Sequence, residues 1–363
     1  MKKVIASVTT DLISDHRVHK MCLSLYNHGY DVTLVGRKKN SQRLASRPYK
    51  VIRFNMFFKK GFLFYMFFNL RLFFLLLVKK SHILISNDLD TILPNYLISK
   101  LKKSQIIYDS HELFTEVPEL ISKKKIKLFW MYLESFIFPK LKNVITVSEG
   151  YANFYKKKYG NSIIVIKNVP SLDIEKINNF SIPGFQFDEK NIIYQGSLNK
   201  DRGIDLMIKA VKLIDVKLFI FGSGDLELSL QEYVIKENLT NKVFFVGRVP
   251  FNDLRYITKF FDLGLSFEEN SCLAYRYSLP NKVFDYIHAG IPVLSSDLPE
   301  MSNFIISNKV GQTLNSREPN EIAVQILELI SNKKRYQKNI EKTKKAYCWQ
   351  KEEKKLLKLF NYF

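Results

Sequence analysis

Two runs of alternating strand-like and helix-like segments constrain the fold of this chain more than any other feature. Short apolar segments rich in valine and isoleucine alternate with longer segments of helical periodicity. Such alternation predicts a parallel sheet with helices on both faces. In the first half, helices are predicted at 17–27, which Gly29 ends, and at 91–101. The strands predicted there are 4–8, 32–35, 51–54, 83–86, 106–108, 144–147 and 163–166.

The alternation stops at residues 168–190, which contain Pro170, Pro183 and Gly184 and show little periodicity. It then resumes, and two Lys-rich helices are predicted within 336–363. The strands predicted in this second half are 191–194, 217–221, 243–246, 263–267 and 291–294. The helices predicted between them are 204–213, 226–237, 252–261 and 281–288.

A chain of 363 residues is long enough for two domains of ordinary size. We predict an α/β fold of two Rossmann-like, doubly wound domains that face a central cleft. Ligands in such sheets bind at the carboxyl ends of the strands. The predicted parts are an N-terminal domain at 1–170, a linker at 171–190, a C-terminal domain at 191–345, and a C-terminal helix at 346–363 that can cross back to the N-terminal domain.

Cysteine and histidine usage bears on compartment and metal content. Cys22, Cys272 and Cys348 are far apart and form no CxxC pair, which indicates a reducing compartment without a disulfide framework. No HxxxH, HExxH or cysteine cluster suggests a metal site, so we expect no metal cofactor. The N-terminal MKKVIASVTT is interpreted as a first strand and not as a signal peptide.

The net charge of +21 is unevenly distributed. Residues 1–175 carry +16, whereas residues 176–363 carry +5. This asymmetry predicts that the N-terminal half meets an anionic partner, either nucleic acid or anionic lipid.

An aromatic segment at 62–78 favours lipid as that partner. It is flanked by Lys59-Lys60 and Lys79-Lys80, and only Asn69 and Arg71 within it are strongly polar. As a helix it would span roughly 25 Å, which is short for a bilayer, and its central arginine argues against a simple transmembrane helix. A buried core helix is the alternative. Because the segment is apolar nearly all round, we predict that its outer face contacts a membrane surface.

The segment 278–301, SLPNKVFDYIHAGIPVLSSDLPEM, predicts a phosphate and sugar site. A turn opens a helix that Gly290 ends, and a strand follows. Ser278, Asn281 and Lys282 lie at the helix start, where an anion is stabilised. Asp285 lies one turn inside, where its carboxylate can accept hydrogen bonds from sugar hydroxyls. Together these features suggest a nucleotide-sugar site.

Three further glycine turns follow predicted strands. In GSLNKDRG, Gly196 allows close approach of a ligand, and Arg202 can clamp a diphosphate with its fork of donors. FGSGD contains Gly222 and Ser223, and VGR ends in Arg248. Taken singly, each of these is also consistent with an ordinary turn, and for VGR an ordinary turn at the strand end is favoured.

The order GSLNKDRG, FGSGD, FVGRV and SLPNKVFDYIHAGIPVLSS resembles the C-terminal domain of retaining GT-B glycosyltransferases. Most of the chain, from VIASVTT to the tryptophan-containing tail, looks like the family-4-like (group 1) branch. The resemblance implies that Arg202 touches the donor pyrophosphate, that the turn at 278–280 holds phosphates by its amides, and that Asp285 binds the nucleotide ribose. The predicted donor-binding residues are Gly196, Ser197, Arg202, Gly222, Ser223, Arg248, Ser278, Leu279, Pro280, Asn281, Lys282 and Asp285.

The chain departs from the family pattern at two positions. Tyr277 stands where the first of two glutamates is usual, and Glu268 or Glu269 could supply a substitute carboxylate for the donor sugar. Ser197 stands where an arginine is usual, and Lys200 or Lys282 could compensate.

In the N-terminal half, the loop YDSHELFTE follows a predicted strand. The resemblance places His111 near the reacting sugar and acceptor, with Glu112 beside it; the alternative is a solvated loop. Asp15 is a further candidate catalytic residue and Arg17 a candidate acceptor-binding residue, although Asp15 can simply cap a helix. Asp90 is either a cap or a site residue, and the resemblance argues against reading Asp88 and Asp90 as a metal-binding pair.

We therefore expect a retaining glycosyltransferase that moves a sugar from a nucleotide-diphosphate donor to a lipid-linked or surface-glycan acceptor, as in capsule or lipopolysaccharide synthesis. By the resemblance, the departing phosphate takes the acceptor proton, so His111 positions groups. We expect a cytoplasmic enzyme on the inner face of the plasma membrane. A nucleotide-sugar epimerase of the same fold stays open. A nucleic-acid-binding protein is less favoured, because the phenylalanines form one block and are not interleaved with Lys and Arg.

Overall fold

The computed structural model describes residues 1–39, 44–173 and 181–362, which form two compact units. Unit 1 comprises Met1–Asn168 and the chain from Glu353 onwards, and unit 2 comprises Val169–Glu352. Residues 174–180 of the expected linker lie outside the described residues. The domain limits and roles given above stay predictions.

Unit 1 contains a seven-stranded parallel sheet with the order β3-β2-β1-β4-β5-β6-β7. The α/β class expected from the alternation is thus confirmed for this half. Most strands extend the predicted segments by a few residues, because hydrogen bonding continues past the apolar run. The strands are β1 (Lys3–Asp11), β2 (Asp31–Lys38), β3 (Lys50–Asn55), β4 (Ile83–Asn87), β5 (Gln105–Ser110), β6 (Asn143–Thr146) and β7 (Ile163–Val165).

Helices cover the sheet of unit 1, and local side chains set their ends. Asp15 caps α1 by accepting a hydrogen bond from the Val18 amide, and Ser148 caps α6 through the Tyr151 amide. Gly160 ends α6 at φ 77°. The helices are α1 (His16–Asn27), α2 (Gly61–Val78), α3 (Ile92–Lys102), α4 (Pro118–Ile121), α5 (Lys124–Ile137) and α6 (Glu149–Tyr159). Short 3-10 helices lie at Leu89–Thr91, Phe114–Glu116 and Phe138–Lys140.

Helix α2 packs on unit 1 by a narrow stripe. Phe64, Phe68, Leu72 and Leu76 are buried at successive four-residue intervals, against residues of β1 to β4 and α3. Lys102 closes the end of the helix, since its Nζ donates to the carbonyls of Leu76 (2.8 Å) and Lys79 (2.9 Å). Tyr65, Phe73 and Leu75 are partly buried against the same cluster, and the other apolar side chains of α2 are exposed. Within the described part of the chain, one helix is long and apolar enough to cross a membrane by length and composition, and that helix is α2. Of α2, 22% is buried in the protein.

Unit 2 contains a six-stranded parallel sheet with the order β10-β9-β8-β11-β12-β13. The last predicted strand, 291–294, begins two residues later and ends one residue later, because Pro292 has no N–H to donate to the ladder. The strands are β8 (Asn191–Gln195), β9 (Lys217–Phe221), β10 (Val243–Gly247), β11 (Leu263–Ser266), β12 (Val293–Ser295) and β13 (Gly311–Thr313).

The helices of unit 2 pack around a large apolar core. The predicted helix 252–261 is shorter than expected and continues as a 3-10 turn at Thr258–Phe260. The helices are α7 (Ile204–Lys212), α8 (Glu227–Lys236), α9 (Phe251–Ile257), α10 (Leu273–Arg276), α11 (Asn281–Ala289), α12 (Pro299–Asn308), α13 (Pro319–Ser331), α14 (Lys333–Ala346) and α15 (Trp349–Phe360). Helix α15 begins in unit 2 and continues into unit 1.

In both sheets the strand order reverses beside the first strand. The reversal lies between β1 and β4 in unit 1 and between β8 and β11 in unit 2. Loops at the carboxyl ends of these strands diverge to opposite faces and leave a crevice, where ligands of doubly wound sheets bind. The residues that follow β1, β4 and β5, and those that follow β8 and β11, are therefore the first candidates for functional sites.

Candidate functional site

At the reversal in unit 2, a fully buried carboxylate holds two cations. Glu268 follows β11, and its Oε1 accepts hydrogen bonds from Lys282 Nζ at 2.6 Å and from Arg202 Nη1 at 3.3 Å. Its Oε2 accepts one from Ser266 Oγ at 2.7 Å. One negative charge faces two positive charges, so the cluster keeps a net charge of about +1, which suits an anionic ligand.

Aromatic rings fix both cations. The Arg202 guanidinium lies 4.6 Å from the centre of the Tyr275 ring, and Lys282 Nζ lies 4.4 Å from that of Tyr194. The Lys282 side chain is 7% exposed and that of Arg202 is 25% exposed. Arg202 is therefore the more accessible of the two to a ligand.

The three charges shift one another's protonation equilibria. Burial alone would raise the pKa of Glu268, but the charges of Lys282 and Arg202 outweigh it and lower that pKa to about 2. Burial lowers the pKa of Lys282, and Arg202 adds to this, while Glu268 opposes both. For Arg202, burial would lower the pKa of the guanidinium, but Glu268, Tyr275 and Tyr194 together outweigh burial and raise it.

Glycines bring the loops after β8 and β9 into contact. Gly196 has φ +149°, and a Cβ there would lie 3.4 Å from Lys282 Nζ. A Cβ at Gly222 would lie 1.8 Å from the carbonyl oxygen of Gly196, so only glycine fits. Arg248, after β10, donates to the hydroxyl of Ser223. These four predicted donor-binding residues thus lie along one edge of the sheet.

The start of α11 offers fewer amide donors than expected. Pro280 has no N–H, and the Ser278 amide already donates to the Tyr275 carbonyl at 3.2 Å. Leu279 precedes this proline, and the amides of Asn281 and Lys282 have no intrahelical acceptor because they belong to the first turn. Any amide contact to a phosphate therefore comes from these first-turn residues and Leu279.

Asp285 and Ser197 have structural partners in unit 2. Asp285 is half-buried, and its Oδ2 accepts a hydrogen bond from Gln195 Nε2 at 3.0 Å. Gln195 is held in turn by Thr258, whose hydroxyl donates to Gln195 Oε1 at 3.0 Å. The carbonyl of Ser197 accepts a hydrogen bond from the Tyr194 hydroxyl at 2.8 Å. Of the two proposed substitute carboxylates, Glu268 is enclosed by the cations and Glu269 is 45% exposed beside Arg317.

In unit 1 a second charged cluster lies after β4 and β5. Arg17, on α1, donates two hydrogen bonds to the Asp109 carboxylate, from Nη2 to Oδ1 at 2.8 Å and from Nε to Oδ2 at 3.1 Å. Its Nη1 donates to the carbonyl of Ile166 at 2.8 Å. The His111 ring bridges two carboxylates, with Nε2 3.0 Å from Asp109 Oδ2 and Nδ1 3.2 Å from Asp88 Oδ2. This network contains two anions and two cationic side chains.

The two carboxylates that contact the His111 ring change its pKa. Burial would lower its pKa, but the charges of Asp88 and Asp109 outweigh it and raise the pKa well above the ordinary value. Burial would raise the pKa of Asp109, and Arg17 and His111 together hold it below its usual range. The two carboxylates therefore favour the protonated imidazolium, whose two ring N–H groups are directed at Asp88 and Asp109.

The other predicted residues of this site have varied surroundings. Asp15 caps α1 and also accepts a hydrogen bond from the Thr10 hydroxyl at 2.7 Å. Arg17 is 3% exposed, and its guanidinium is engaged within unit 1, so a direct acceptor contact is less favoured than positioning of Asp109. Glu112 is exposed. Asp88 has φ +58°, a conformation that costs a non-glycine residue energy and that fixes its carboxylate on His111.

Sequence reasoning included Asp109 only as one acid of the loop YDSHELFTE, without a role, and did not identify Gln195 or Tyr275. Asp109 had one signal, since a charged residue inside the apolar run IIYD must find a buried partner. Gln195 and Tyr275 had none, because their neighbours are distant in the chain. Among the described residues, no group of three or more His, Cys, Asp or Glu side chains is placed to hold a metal ion.

Asp90 gives a pH-dependent prediction. It is 7% exposed, accepts a hydrogen bond from the Thr9 hydroxyl, and its Oδ1 has no partner among the described residues. Burial, with the charge of Asp88, raises its pKa to about 8. The folded-state pKa of Asp90 lies above its unfolded-state pKa. The contribution of Asp90 to the free energy of unfolding is therefore fully present below about pH 4 and is lost as pH rises towards 8.

The replacement Asp90→Asn should make the free energy of unfolding depend less on pH. The slope should change by at most about 1.4 kcal/mol per pH unit. Urea unfolding at pH 5, 6.5 and 8 measures it, with Asp188→Asn at an exposed carboxylate as the control. Equal slopes for wild type and Asp90→Asn would mean that Asp90 is ionised in the native state.

Solved structures share this architecture. Sucrose-phosphate synthase of Thermosynechococcus elongatus superposes with a TM-score of 0.83 at 14% identity, covering 100% of this chain and 99% of that one. Anabaena HepE, solved with UDP and glucose, superposes with a TM-score of 0.76 at 12% identity, covering 100% of both chains. Together with the two Rossmann-like sheets, these likenesses establish the GT-B fold that the sequence predicted.

Comparison of the sequence with protein-family models identifies the family. Residues 16–172 match the model for glycosyltransferase family 4, and residues 175–346 match that for glycosyl transferases group 1. The chain belongs to the family 4, group 1 glycosyltransferases. A chitobiosyldiphosphodolichol beta-mannosyltransferase of Candida albicans is 24% identical over 259 residues, which are 64% of this chain. The chain spans 62% and 56% of the lengths of two curated relatives that it matches.

Proposed function

We propose that this protein transfers a sugar from a nucleotide-diphosphate donor, with retention, to a lipid-linked or surface-glycan acceptor. The observation that carries the proposal is the net positive cluster of Arg202, Lys282 and Glu268 at the strand-order reversal of unit 2. A diphosphate is the anion that such a pair of cations suits. The UDP bound in the Anabaena HepE structures supports a nucleoside diphosphate as its occupant.

The donor site would act on the leaving group. As the bond between the anomeric carbon and the diphosphate oxygen breaks, negative charge grows on the phosphate. Arg202, Lys282 and the first amides of α11 would stabilise that charge without a metal ion. The acceptor oxygen would form the new bond on the face that the phosphate leaves, and its proton would pass to the departing phosphate.

Unit 1 would hold the acceptor. Both ring N–H groups of His111 are directed at Asp88 and Asp109, so His111 would act by its positive charge and by fixing Asp88, whose side chain is 17% exposed. Arg17 would act through Asp109. Asp15 and Glu112 are the further candidates at this end of the sheet, and both lie on the loops that follow β1 and β5.

The proposed acceptor class rests on the outer surface of unit 1. We call the exposed side chains of α2, α3 and α5 the apolar surface. Helix α3 packs against both α2 and α5, which makes this surface continuous. Exposed lysines lie at both ends of α2 and at the start of α5. The apolar surface includes Phe62, Leu70 and Phe74 of α2, Leu97 and Leu101 of α3, and Leu128 and Tyr132 of α5.

Apolar side chains ringed by lysines suit the interface of an anionic membrane. A peripheral position on the inner face of the plasma membrane would give the enzyme access to lipid-linked acceptors. The mannosyltransferase relative is named for a dolichol-linked acceptor, which supports this class. Synthesis of capsule or lipopolysaccharide is the setting that such an acceptor suggests.

Membrane attachment should depend on the apolar surface. The double variant Phe62→Ser/Phe74→Ser removes side chains that are 67% and 56% exposed. Burial of a phenylalanine in an apolar medium contributes about 1.5–3 kcal/mol, so vesicle binding should fall by at least about tenfold. Flotation with phosphatidylglycerol-containing liposomes at low salt measures it.

The matched control is Phe187→Ser/Leu228→Ser, which changes two side chains of unit 2 that are each 75% exposed. It should float like the wild type. Absence of wild-type flotation, or equal loss in both double variants, would contradict attachment through the apolar surface.

The function itself is tested by incubating the full chain with UDP-, GDP-, ADP- and TDP-sugars, with and without lipid-linked acceptors and with EDTA. We expect acceptor-dependent release of one nucleoside diphosphate that EDTA does not abolish, and NMR of the product should show retention. Conversion of the donor to an epimer without an acceptor would instead support the epimerase alternative. Neither reaction with any donor would refute the proposed function.

A further inference from the structure

We infer that Glu268 is a positioning residue of the donor site: it holds Lys282 charged and orients Arg202 towards the diphosphate, without touching the donor itself. This inference rests on the proposed function, because it takes the cluster after β8 and β11 to be the donor site. It assigns Glu268 a different role from the sugar contact that its position in the sequence suggested.

Geometry prevents Glu268 from reaching a ligand directly. The residue has 0% exposure, and both carboxylate oxygens are engaged, Oε1 by the two cations and Oε2 by Ser266. Its backbone is held as well, since Ser296 Oγ donates to the Glu268 carbonyl at 2.6 Å. Arg317 Nη1 in turn donates to Ser296 Oγ at 3.3 Å. The carboxylate therefore acts on a ligand only through Lys282 and Arg202.

The two cations retain capacity for an anion. The ammonium of Lys282 has three N–H donors, and Glu268 takes one of them. The Nε of Arg202 is buried and has no hydrogen-bond partner within the described residues. A buried donor without a partner is costly, and a bound phosphate oxygen would satisfy it. A side chain at Gly196 would crowd Lys282, because a Cβ there would lie 3.3 Å from Lys282 Cε and 3.4 Å from its Nζ.

The charge of Glu268 is what keeps Lys282 protonated. The charged or titratable groups packed against Lys282 are Glu268, Arg202 and Tyr194. Arg202 stays cationic and disfavours a second positive charge, and burial raises the pKa of Tyr194 above its ordinary value, so neither replaces a carboxylate. Without Glu268, burial and Arg202 would together drive the proton from Lys282 as pH rises.

Calorimetric titration with UDP, GDP and ADP between pH 7 and pH 9.5 tests the inference, and the nucleotide that the wild type binds best is carried forward. The wild-type Kd should vary little over this range. For Glu268→Gln, the Kd should rise by at least about tenfold between the two limits, because each pH unit above a pKa removes the proton from about nine in ten sites. The double variant Glu268→Gln/Lys282→Arg should restore the flat profile, since arginine stays charged.

Each outcome separates the two proposals. If the wild type binds none of the three nucleotides, the donor site itself is wrong. If it binds one and Glu268→Gln keeps a flat profile, only the role of Glu268 is wrong. A loss of affinity that is independent of pH and not rescued by Lys282→Arg would also overturn the inference, because it would indicate a purely structural role.

A second comparison covers the case in which Glu268→Gln does not fold. Glu268→Gln/Lys282→Met removes one negative and one positive charge together, and its Kd should not change between pH 7 and pH 9.5, because the group that loses a proton is gone. A constant difference from Lys282→Met then measures the part of the effect that acts through Arg202. A Kd of the double variant that still rises about tenfold with pH would overturn the inference, since Lys282 would not be the titrating group.

Discussion

Replacing Arg202 by alanine is expected to lower kcat/KM for the nucleotide-sugar donor by on the order of 100- to 1000-fold, the cost typical of removing one pre-organised donor to a developing charge. Arg202 is held between Glu268 and the Tyr275 ring, and its Nε has no hydrogen-bond partner in the described chain. The loss should fall mainly on kcat, because the charge on the diphosphate grows as the glycosidic bond breaks.

Initial rates of nucleoside-diphosphate release over a range of donor concentrations measure this effect. Arg202→Lys should retain part of the activity, because the ammonium keeps the charge but loses the planar fork of donors. Arg335→Ala, at an exposed arginine of α14 in the same unit, is the matched control and should behave as wild type. Unchanged kcat and KM for Arg202→Ala would show that the donor phosphates bind elsewhere.

Replacing Arg17 by leucine is expected to destabilise unit 1 by about 3–5 kcal/mol, the range found when one partner of a buried ion pair is removed. Asp109 has 0% exposure and Arg17 is 3% exposed, so water cannot solvate the carboxylate that remains. His111 still contacts Asp109, but the fork of two hydrogen bonds is lost. The double variant Arg17→Leu/Asp109→Asn should recover part of the loss, because it buries no unpaired charge at this position.

A chain of two units need not unfold in one step. Hydrogen exchange of the amides of β5, Gln105–Ser110, therefore reports the stability of unit 1 more directly than a single melting temperature. Lys50→Ala is the matched control in the same unit, since Lys50 is 69% exposed in its pair with Asp31 and should contribute less than about 1 kcal/mol. Similar protection of β5 in Arg17→Leu and Lys50→Ala would refute the importance of the buried pair.

The limits of most strands could be predicted from local sequence. Runs such as VIASV and KLFIF are buried on both sides of a parallel sheet, and that burial is visible as a continuous apolar segment. β13 was missed for the converse reason, because Gly311, Gln312 and Thr313 form no apolar run and pair only with β12. The end of α11 was predicted closely, since Gly290 adopts the left-handed conformation that ends the helix.

The sequence by itself determined the α/β class, the two sets of strands, and the short motifs that place Gly196 after β8, Arg202 before α7 and Lys282 at the start of α11. Each of these depends on residues near one another in the chain. The tertiary structure alone decided the partners of the buried charges. Glu268 meets Arg202 across 66 residues, and Arg17 meets Asp109 across 92. A periodic pattern reports whether a residue is buried, but the partner of a buried charge depends on sheet order, and the order reverses where both clusters lie.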